Sequence, residues 1–376
     1  MRNGPTTSAR KETSNRIYPL ATTKRRCSLP VMQDLTDDLK KGRELDPAQI
    51  NRAAEALLDD TISDEIRAAF LSALSDKGET AAEIAGFAAA FLDRAVVPRI
   101  NREKIAKPLL DVCGTGGDKL NLFNVSTTSV FLLAANGVAV AKHGNRGITS
   151  KSGGADVLEA LGIRIDLPPD DFGRCLEEVG AGFLFAPLYH PAFKAIVPVR
   201  KQLAEAGRRT IFNLLGPLLN PARPDYQLIG VFDPAVGAVF ADILSRLGRK
   251  VAWAVHGTTE AGAGMDELST LGRSIIWSAE GPDRVESVIE PSSFSFGPGT
   301  TADLEGGDAK DNAAILVGII NGSITGSKRD LVTLNAAAGL VITGKAASLH
   351  EGLRLANEAI TTGAALAVLE RWQKFM

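Results

Sequence analysis

Five short segments of this 376-residue chain carry residue types that could hold phosphate, a divalent cation or a carboxylate. The first is Gly114-Thr115-Gly116-Gly117-Asp118, directly after the apolar run 109–112. Glycines let a chain turn tightly and bring its N–H groups against an anion. The segment has neither the Gly-Lys-Ser/Thr of a Walker loop nor Gly-x-Gly-x-x-Gly spacing, so a plain strand-to-helix turn stays open. Seven residues beyond Gly117, Asn124-Val125-Ser126-Thr127 starts a helix. Hydroxyls and unpaired N–H groups there favour negative charge. One cap would satisfy that helix, so three polar residues beside a glycine loop point to a ligand.

The third segment, Lys142-His143-Gly144-Asn145-Arg146, follows a run that reads as a buried strand, and Thr149-Ser150-Lys151-Ser152-Gly153-Gly154 comes just after. A fixed ammonium at a strand end can neutralise a phosphate oxygen, and open α/β sheets bind ligands at the carboxyl ends of their strands. The Ser/Gly/Lys run adds donors and can close as a flap. A solvated basic loop and a structural His143 are the plainer alternatives. Asp266-Glu267, preceded by Gly262-Ala263-Gly264, is the fourth. Magnesium is held by one or two carboxylates together with phosphate oxygens, and in a glycine-flanked loop both carboxylates can face the same ions. Alone, such a pair is surface charge. Last come Tyr189-His190-Pro191, Arg200 and Ile211-Phe212-Asn213-Leu214-Leu215-Gly216-Pro217. Arginine matches a carboxylate with two parallel hydrogen bonds, so Arg200 could orient an organic acid. The alternative is a helical Arg200 paired with a local acid such as Glu205.

The elements that must position these segments fall into two styles. Residues 32–106 read as a small helical domain. Asp46-Pro47 is an N-cap with proline at the first helical position. Ile50, Ala54, Leu57 and Leu58 then recur on one face; Ile66, Phe70 and Leu74 mark a second helix closing at Lys77-Gly78, and Thr80 with Glu83 forms a capping box before a third. From 107 to 376 short apolar runs alternate with helical ones: strands at 109–112, 138–141, 182–185, 227–231 and 251–255, helices at 125–136, 153–162 and 236–247, another helix opening at Pro168-Pro169-Asp170, and helices again over 308–375. That alternation predicts an α/β fold with a mostly parallel sheet.

Bulk properties narrow the classes. The net charge of −2 conceals a basic extension: residues 1–31 hold seven Lys/Arg and one acid, leaving the rest at −8. A body that acidic is a poor polyanion binder, so any phosphate site must be local. No apolar run approaches bilayer length. Cys27, Cys113 and Cys175 are scattered, against a disulfide framework or zinc site and in keeping with a reducing compartment. Residues 1–31 are read as a disordered tail or an upstream start preceding Met32, with a transit peptide as the alternative. The expected location is the cytoplasm, or a plastid if that alternative holds.

Taken in order, Gly114–Asp118, Asn124–Thr127, Lys142–Arg146, Ala155-Asp156-Val157-Leu158-Glu159-Ala160-Leu161-Gly162, Asn213–Pro217 and Asp266-Glu267 resemble the anthranilate phosphoribosyltransferases from about residue 32 to the end. The resemblance implies a small helical domain hinged to a large α/β domain, a homodimer built through the small domains, and helices near 190–215 folding back onto the small domain. It implies transfer of phosphoribose from phosphoribosyl pyrophosphate to the amine of anthranilate, with magnesium, two ions, as cofactor. By residue it points to Gly114, Gly117, Asp118, Asn124, Val125, Ser126, Thr127, Lys142, His143, Gly144, Asn145 and Ser150 for the sugar pyrophosphate. Gly114, His143, Asn145, His190, Arg200 and Pro217 would meet anthranilate, and Ser126, Asp266 and Glu267 the metal. No single residue is expected as general base. The chain departs from the family at Leu122, where threonine is common, at Gly154, where serine is usual, and in being slightly longer between Arg200 and Arg209.

Three rival activities frame that expectation. A pyrimidine-nucleoside phosphorylase of the same fold has no use for an Asp-Glu magnesium pair. A non-catalytic nucleic-acid-binding relative predicts a basic face, which the acidic body opposes. A phosphoribosyltransferase for another aromatic amine stays open on sequence.

Overall fold

The computed structural model describes Met1 and residues 29–117, 120–147 and 151–375. The first four helices are α1 (Leu29–Lys40), α2 (Pro47–Leu57), α3 (Asp64–Lys77) and α4 (Ala81–Leu92). Each cap read from sequence forms. Asp46 accepts from Gln49 N while Gln49 accepts from Asp46 N, both at 2.8 Å. Thr80 and Glu83 close the same reciprocal box, and α3 stops at Gly78 with φ +84°. The chain therefore turns where backbone donors find partners within three residues. Helix α1 begins inside the segment set aside as an extension; residues 2–28 lie outside the described residues, and with them the tail and transit-peptide readings.

The rest alternates as α5 (Arg102–Ile105), β1 (Leu109–Gly114), α6 (Val125–Ala135), β2 (Ala139–Gly144), α7 (Gly154–Ala160), α8 (Pro169–Val179), β3 (Ala181–Phe185), α9 (Ala186–Tyr189), α10 (Val197–Glu205), α11 (Phe212–Leu215), β4 (Tyr226–Gly230), α12 (Gly237–Arg246) and β5 (Val251–Thr258). Then come β6 (Gly264–Met265), β7 (Ser274–Glu280), β8 (Asp283–Ile289) and four helices, α13 (Ala309–Ile320), α14 (Ser327–Ile342), α15 (Leu349–Thr361) and α16 (Ala364–Lys374). The sheet order is β3-β2-β1-β4-β5-β7-β8, with β6 on the end of β5. The first five strands are parallel; β6, β7 and β8 add antiparallel pairs. Among the described residues no helix is long and apolar enough to cross a membrane.

Two details depart from the sequence reading. Strand β2 runs on to Gly144, because Lys142, His143 and Gly144 keep register with Phe183, Leu184 and Phe185 of β3. Lys142 and His143 are thus strand residues and not part of a loop. The β7–β8 hairpin was not anticipated: β8 reads Asp-Arg-Val-Glu-Ser-Val-Ile and is exposed along nearly its whole length, so it offers no apolar run to detect.

Two buried clusters form the core. One joins the sheet to α6, α13, α14, α15 and α16. The other unites α1–α4 with Ile196, Val199, Leu203, Phe212 and Leu215, with Phe240 of α12, and with the other sheet face through Ile229, Ala252 and Trp277. Apolar side chains from Ile196 to Leu219 therefore bury in the same cluster as the helical bundle. Arg67 of α3 fastens this segment by donating to the Ala195 carbonyl at 2.9 Å.

Candidate active site

Strand order reverses between β1 and β4, since β1 is flanked by β2 on one side and β4 on the other. That is the switch point at which open α/β sheets take ligands. The glycine segment leaves β1 there, with Gly116 at φ +70° and Gly117 at φ +95°. Thr115 N donates to the Gly230 carbonyl at 2.8 Å, tying the loop to the end of β4. Gly116 N donates to Asp266 Oδ2 at 2.8 Å. A Cβ at Gly114 would run into the same carboxylate, and one at Gly230 into the Asp266 carbonyl. Two glycines on neighbouring strands thus let the acidic segment lie across the strand ends.

The α6 start adds the next groups. Asn124 makes no cap: its amide donates to the Ser152 carbonyl at 3.3 Å and accepts from Asn312 at 2.9 Å. Val125 and Thr127 are buried, whereas Ser126 is half-exposed. Lys142 is only 4% exposed, yet its ammonium reaches the Val112 carbonyl at 2.6 Å and Ser126 Oγ at 3.1 Å. Space at Gly154 is tight: a Cβ there would stand 3.0 Å from Thr127 Oγ1, which would have to give slightly, and 3.6 Å from the Lys142 side chain. Ser126 and Glu267 line one small cavity with Asn335. Ser126, Lys142, Glu267, Asp266 and the glycine loop therefore converge.

Side chains alternate along a strand, so His143 faces the opposite way from Lys142. Its ring meets that of His190 at 5.4 Å between centroids, edge to face. His190 Nε2 donates to the Leu219 carbonyl at 2.8 Å, whereas His143 Nε2 is buried without a partner among the described residues. Burial, with the neighbouring His190 and Lys142, pulls His143 down to about 3, so it is a neutral imidazole. Burial lowers His190 as well. From His190 the rings of Phe193 and Phe212 follow at 5.2 and 5.8 Å, and the Arg200 guanidinium lies 5.2 Å over Phe212. The alternative pairing of Arg200 with Glu205 does not occur; Glu205 is taken by Lys201 at 3.9 Å. Partial burial lowers the Arg200 pKa. Pro217 is buried and its carbonyl accepts from Gln227 at 2.7 Å.

Some expected residues stand apart. Gly144 ends β2 beneath the Phe183 ring, and Asn145 is exposed, with no hydrogen bond to Arg200 among the described residues. Arg146 braces the turn through Asp156 and Glu159, a structural role. Asp118 and Ser150 lie outside the described residues. Sequence reading missed Asn312, Asn335 and the buried trio Asp111, Gln227 and Arg249, linked at 3.3 and 2.9 Å. Burial pushes the Asp111 carboxyl up, only partly offset by Asn220 and Lys142. A polar residue inside an otherwise apolar stretch, as in Leu331-Val332-Thr333-Leu334-Asn335-Ala336, is the signal that could have found them.

Among the described residues no group of three or more His, Cys, Asp or Glu could enclose a metal ion. Two adjacent carboxylates and a serine hydroxyl nevertheless fit magnesium, which keeps waters and takes its remaining oxygens from a phosphorylated substrate.

Family models agree with this layout. Residues 33–95 match the glycosyl transferase family, helical bundle domain, and residues 106–366 the glycosyl transferase family, a/b domain. An anthranilate phosphoribosyltransferase of Natronomonas pharaonis is 43% identical over 344 residues, 92% of this chain and 99% of the relative. The chain belongs to the anthranilate phosphoribosyltransferase family. Another member of that family, from Mesorhizobium japonicum, is 46% identical over 80% of this chain and 86% of its own length. The crystal structure of the Thermus thermophilus enzyme superposes with a TM-score of 0.82 at 40% identity, covering 91% of this chain and 99% of that one. The Saccharomyces cerevisiae enzyme in complex with PRPP and Mg gives 0.81 at 26% identity, covering 93% and 98%. The small helical domain and the mostly parallel α/β domain are thus the family's architecture.

Proposed function

We propose that this chain transfers phosphoribose from phosphoribosyl pyrophosphate to the amine of anthranilate, releasing pyrophosphate in tryptophan biosynthesis. The observation that carries the reading is the convergence of the glycine loop, Lys142, Ser126, Asp266 and Glu267 at the β1–β4 switch point. Glycine-loop N–H groups and Lys142 bind the phosphates and hold them in line. When bound, magnesium supplies positive charge to the departing pyrophosphate. Asp266 contacts the glycine loop while Glu267 borders the Ser126 cavity, and we place two cations beside these carboxylates.

The C1–O bond to pyrophosphate breaks as the anthranilate nitrogen bonds to C1, and the nitrogen's proton leaves to water or phosphate. Alignment and fixed charge do most of this work. A neutral His143 can donate or accept a hydrogen bond but adds no cation, and Arg200 binds the carboxylate of the acceptor. In our reading the chain works as a homodimer in the cytoplasm, supported by the family likeness and by Cys113 and Cys175 being free. Light scattering on the purified chain tests the dimer. Loss of anthranilate on adding phosphoribosyl pyrophosphate and magnesium, run beside other aromatic amines, tests the reaction. No turnover of anthranilate would sink it.

A further inference from the structure

Nothing in the acidic segment's own sequence explains why residues 266–268 hold one path. Below them, a Cβ at Gly230 would collide with the Asp266 carbonyl and one at Gly257 with the Glu267 carbonyl. Beside them stands Asn335 of α14, 1% exposed. Its amide oxygen accepts from Leu268 N at 2.9 Å, and its amide nitrogen donates to the Leu268 carbonyl at 2.9 Å and to the Leu331 carbonyl at 2.9 Å. One side chain thus closes both backbone groups of a single residue, as a neighbouring strand would. An asparagine in the middle of an apolar helix costs stability unless each polar atom is used, and here three bonds use it. The clamp sits one residue beyond Glu267, and Asn335 borders the same small cavity as Ser126 and Glu267.

We propose that Asn335 is a positioning residue: by clamping Leu268 it fixes the Asp266-Glu267 carboxylates where a divalent cation must be shared with the sugar pyrophosphate. This rests on the reading of Asp266 and Glu267 as cation ligands. The effect should therefore fall on cation and phosphoribosyl pyrophosphate binding and spare the acceptor side, which α14 does not touch through Asn335.

The test uses Asn335→Asp, which keeps shape and the acceptor for Leu268 N but loses both donors, and Asn335→Ser. Mn2+ affinity in the presence of phosphoribosyl pyrophosphate is read by electron paramagnetic resonance, and KM is measured for both substrates, with circular dichroism as the check on folding. Residues that orient metal ligands typically change metal affinity by about 10- to 100-fold, and a loss in that range is expected with the anthranilate KM within about twofold. Wild-type Mn2+ affinity in a folded variant, or equal rises in both KM values, overturns the proposal. Loss of the fold in both variants also overturns it, because the clamp would then serve general stability. The double variant Asp266→Ala/Glu267→Ala separates the two claims. If it binds Mn2+ as wild type does, the carboxylate reading itself fails; if it loses Mn2+ while the Asn335 variants do not, only the clamp fails.

Discussion

The two sides of strand β2 are built from different materials. On the Lys142 side the contacts are short and polar: Val112 O at 2.6 Å, Ser126 Oγ at 3.1 Å, and a glycine loop whose amide holds Asp266 at 2.8 Å. On the His143 side a run of rings carries the site outward, from His190 through Phe193 and Phe212 to Arg200. The polar side is anchored in one core cluster, whereas the rings continue into the helical bundle through Phe91, 5.1 Å from Phe193. Hydrogen bonds fix direction and charge; ring contacts fix a slot and tolerate sliding. On the proposed function, the phosphorylated donor would meet the first kind of surface and the flat aromatic acid the second.

Breaking the polar side should cost most. Asp266→Ala with Glu267→Ala is expected to lower kcat by at least about 10²- to 10³-fold, the scale for removing a fixed charge-stabilising group. Near-normal magnesium-dependent turnover would end the metal assignment. Lys142→Met keeps the buried stem and deletes the charge. Loss of one charged hydrogen bond predicts a fall of about 10- to 100-fold in kcat/KM for phosphoribosyl pyrophosphate. An equal fall with respect to anthranilate binding in equilibrium titration would blur the division of labour between the two sides.

On the ring side Arg200→Ala should raise the anthranilate KM about tenfold and leave that of phosphoribosyl pyrophosphate unchanged, as expected for one lost carboxylate pairing. An unmoved KM removes Arg200 from the acceptor site. The same side should respond to acid. His143 is held at about 3 against an ordinary 6.5, so the unfolded chain takes up a proton in that window and the folded one does not. Its contribution is present above pH 6.5 and is lost progressively as pH falls towards 3. Urea midpoints that slope equally in His143→Gln would assign the acid loss elsewhere. The smallest effect is expected for Gly154→Ser, which adds the hydroxyl that the family resemblance implied for this position. The new Cβ stands 3.0 Å from Thr127 Oγ1, so a KM change for phosphoribosyl pyrophosphate within about threefold is expected, the size of a single neutral hydrogen bond. A large loss would show that the polar side has no slack.

Legibility followed the range of the interaction. The capping boxes at Asp46 and Thr80 were readable because both partners sit within three residues. The glycine loop was readable because two successive residues at positive φ demand glycine. The β7–β8 hairpin was not, since β8 buries almost nothing. Arg200 was legible as a residue but not in its surroundings. Sequence offered Glu205 as partner, and only folding showed Lys201 on that acid and Phe212 under the guanidinium. Asn335 escaped because its role depends on a segment 67 residues earlier in the chain.

Sequence by itself determined the kinds of chemistry available here: local donors, one lysine at a strand end, an adjacent pair of carboxylates and the turns that present them. Tertiary structure alone decided who meets whom. It set Asp266 on an amide 150 residues away, brought Lys142 to Ser126 and His143 to His190, and gave α14 a hold on the acidic segment. Local geometry is fixed by torsions and by partners a few residues off. Meetings between distant residues are fixed by which apolar faces bury together, and that is settled only when the whole chain has packed.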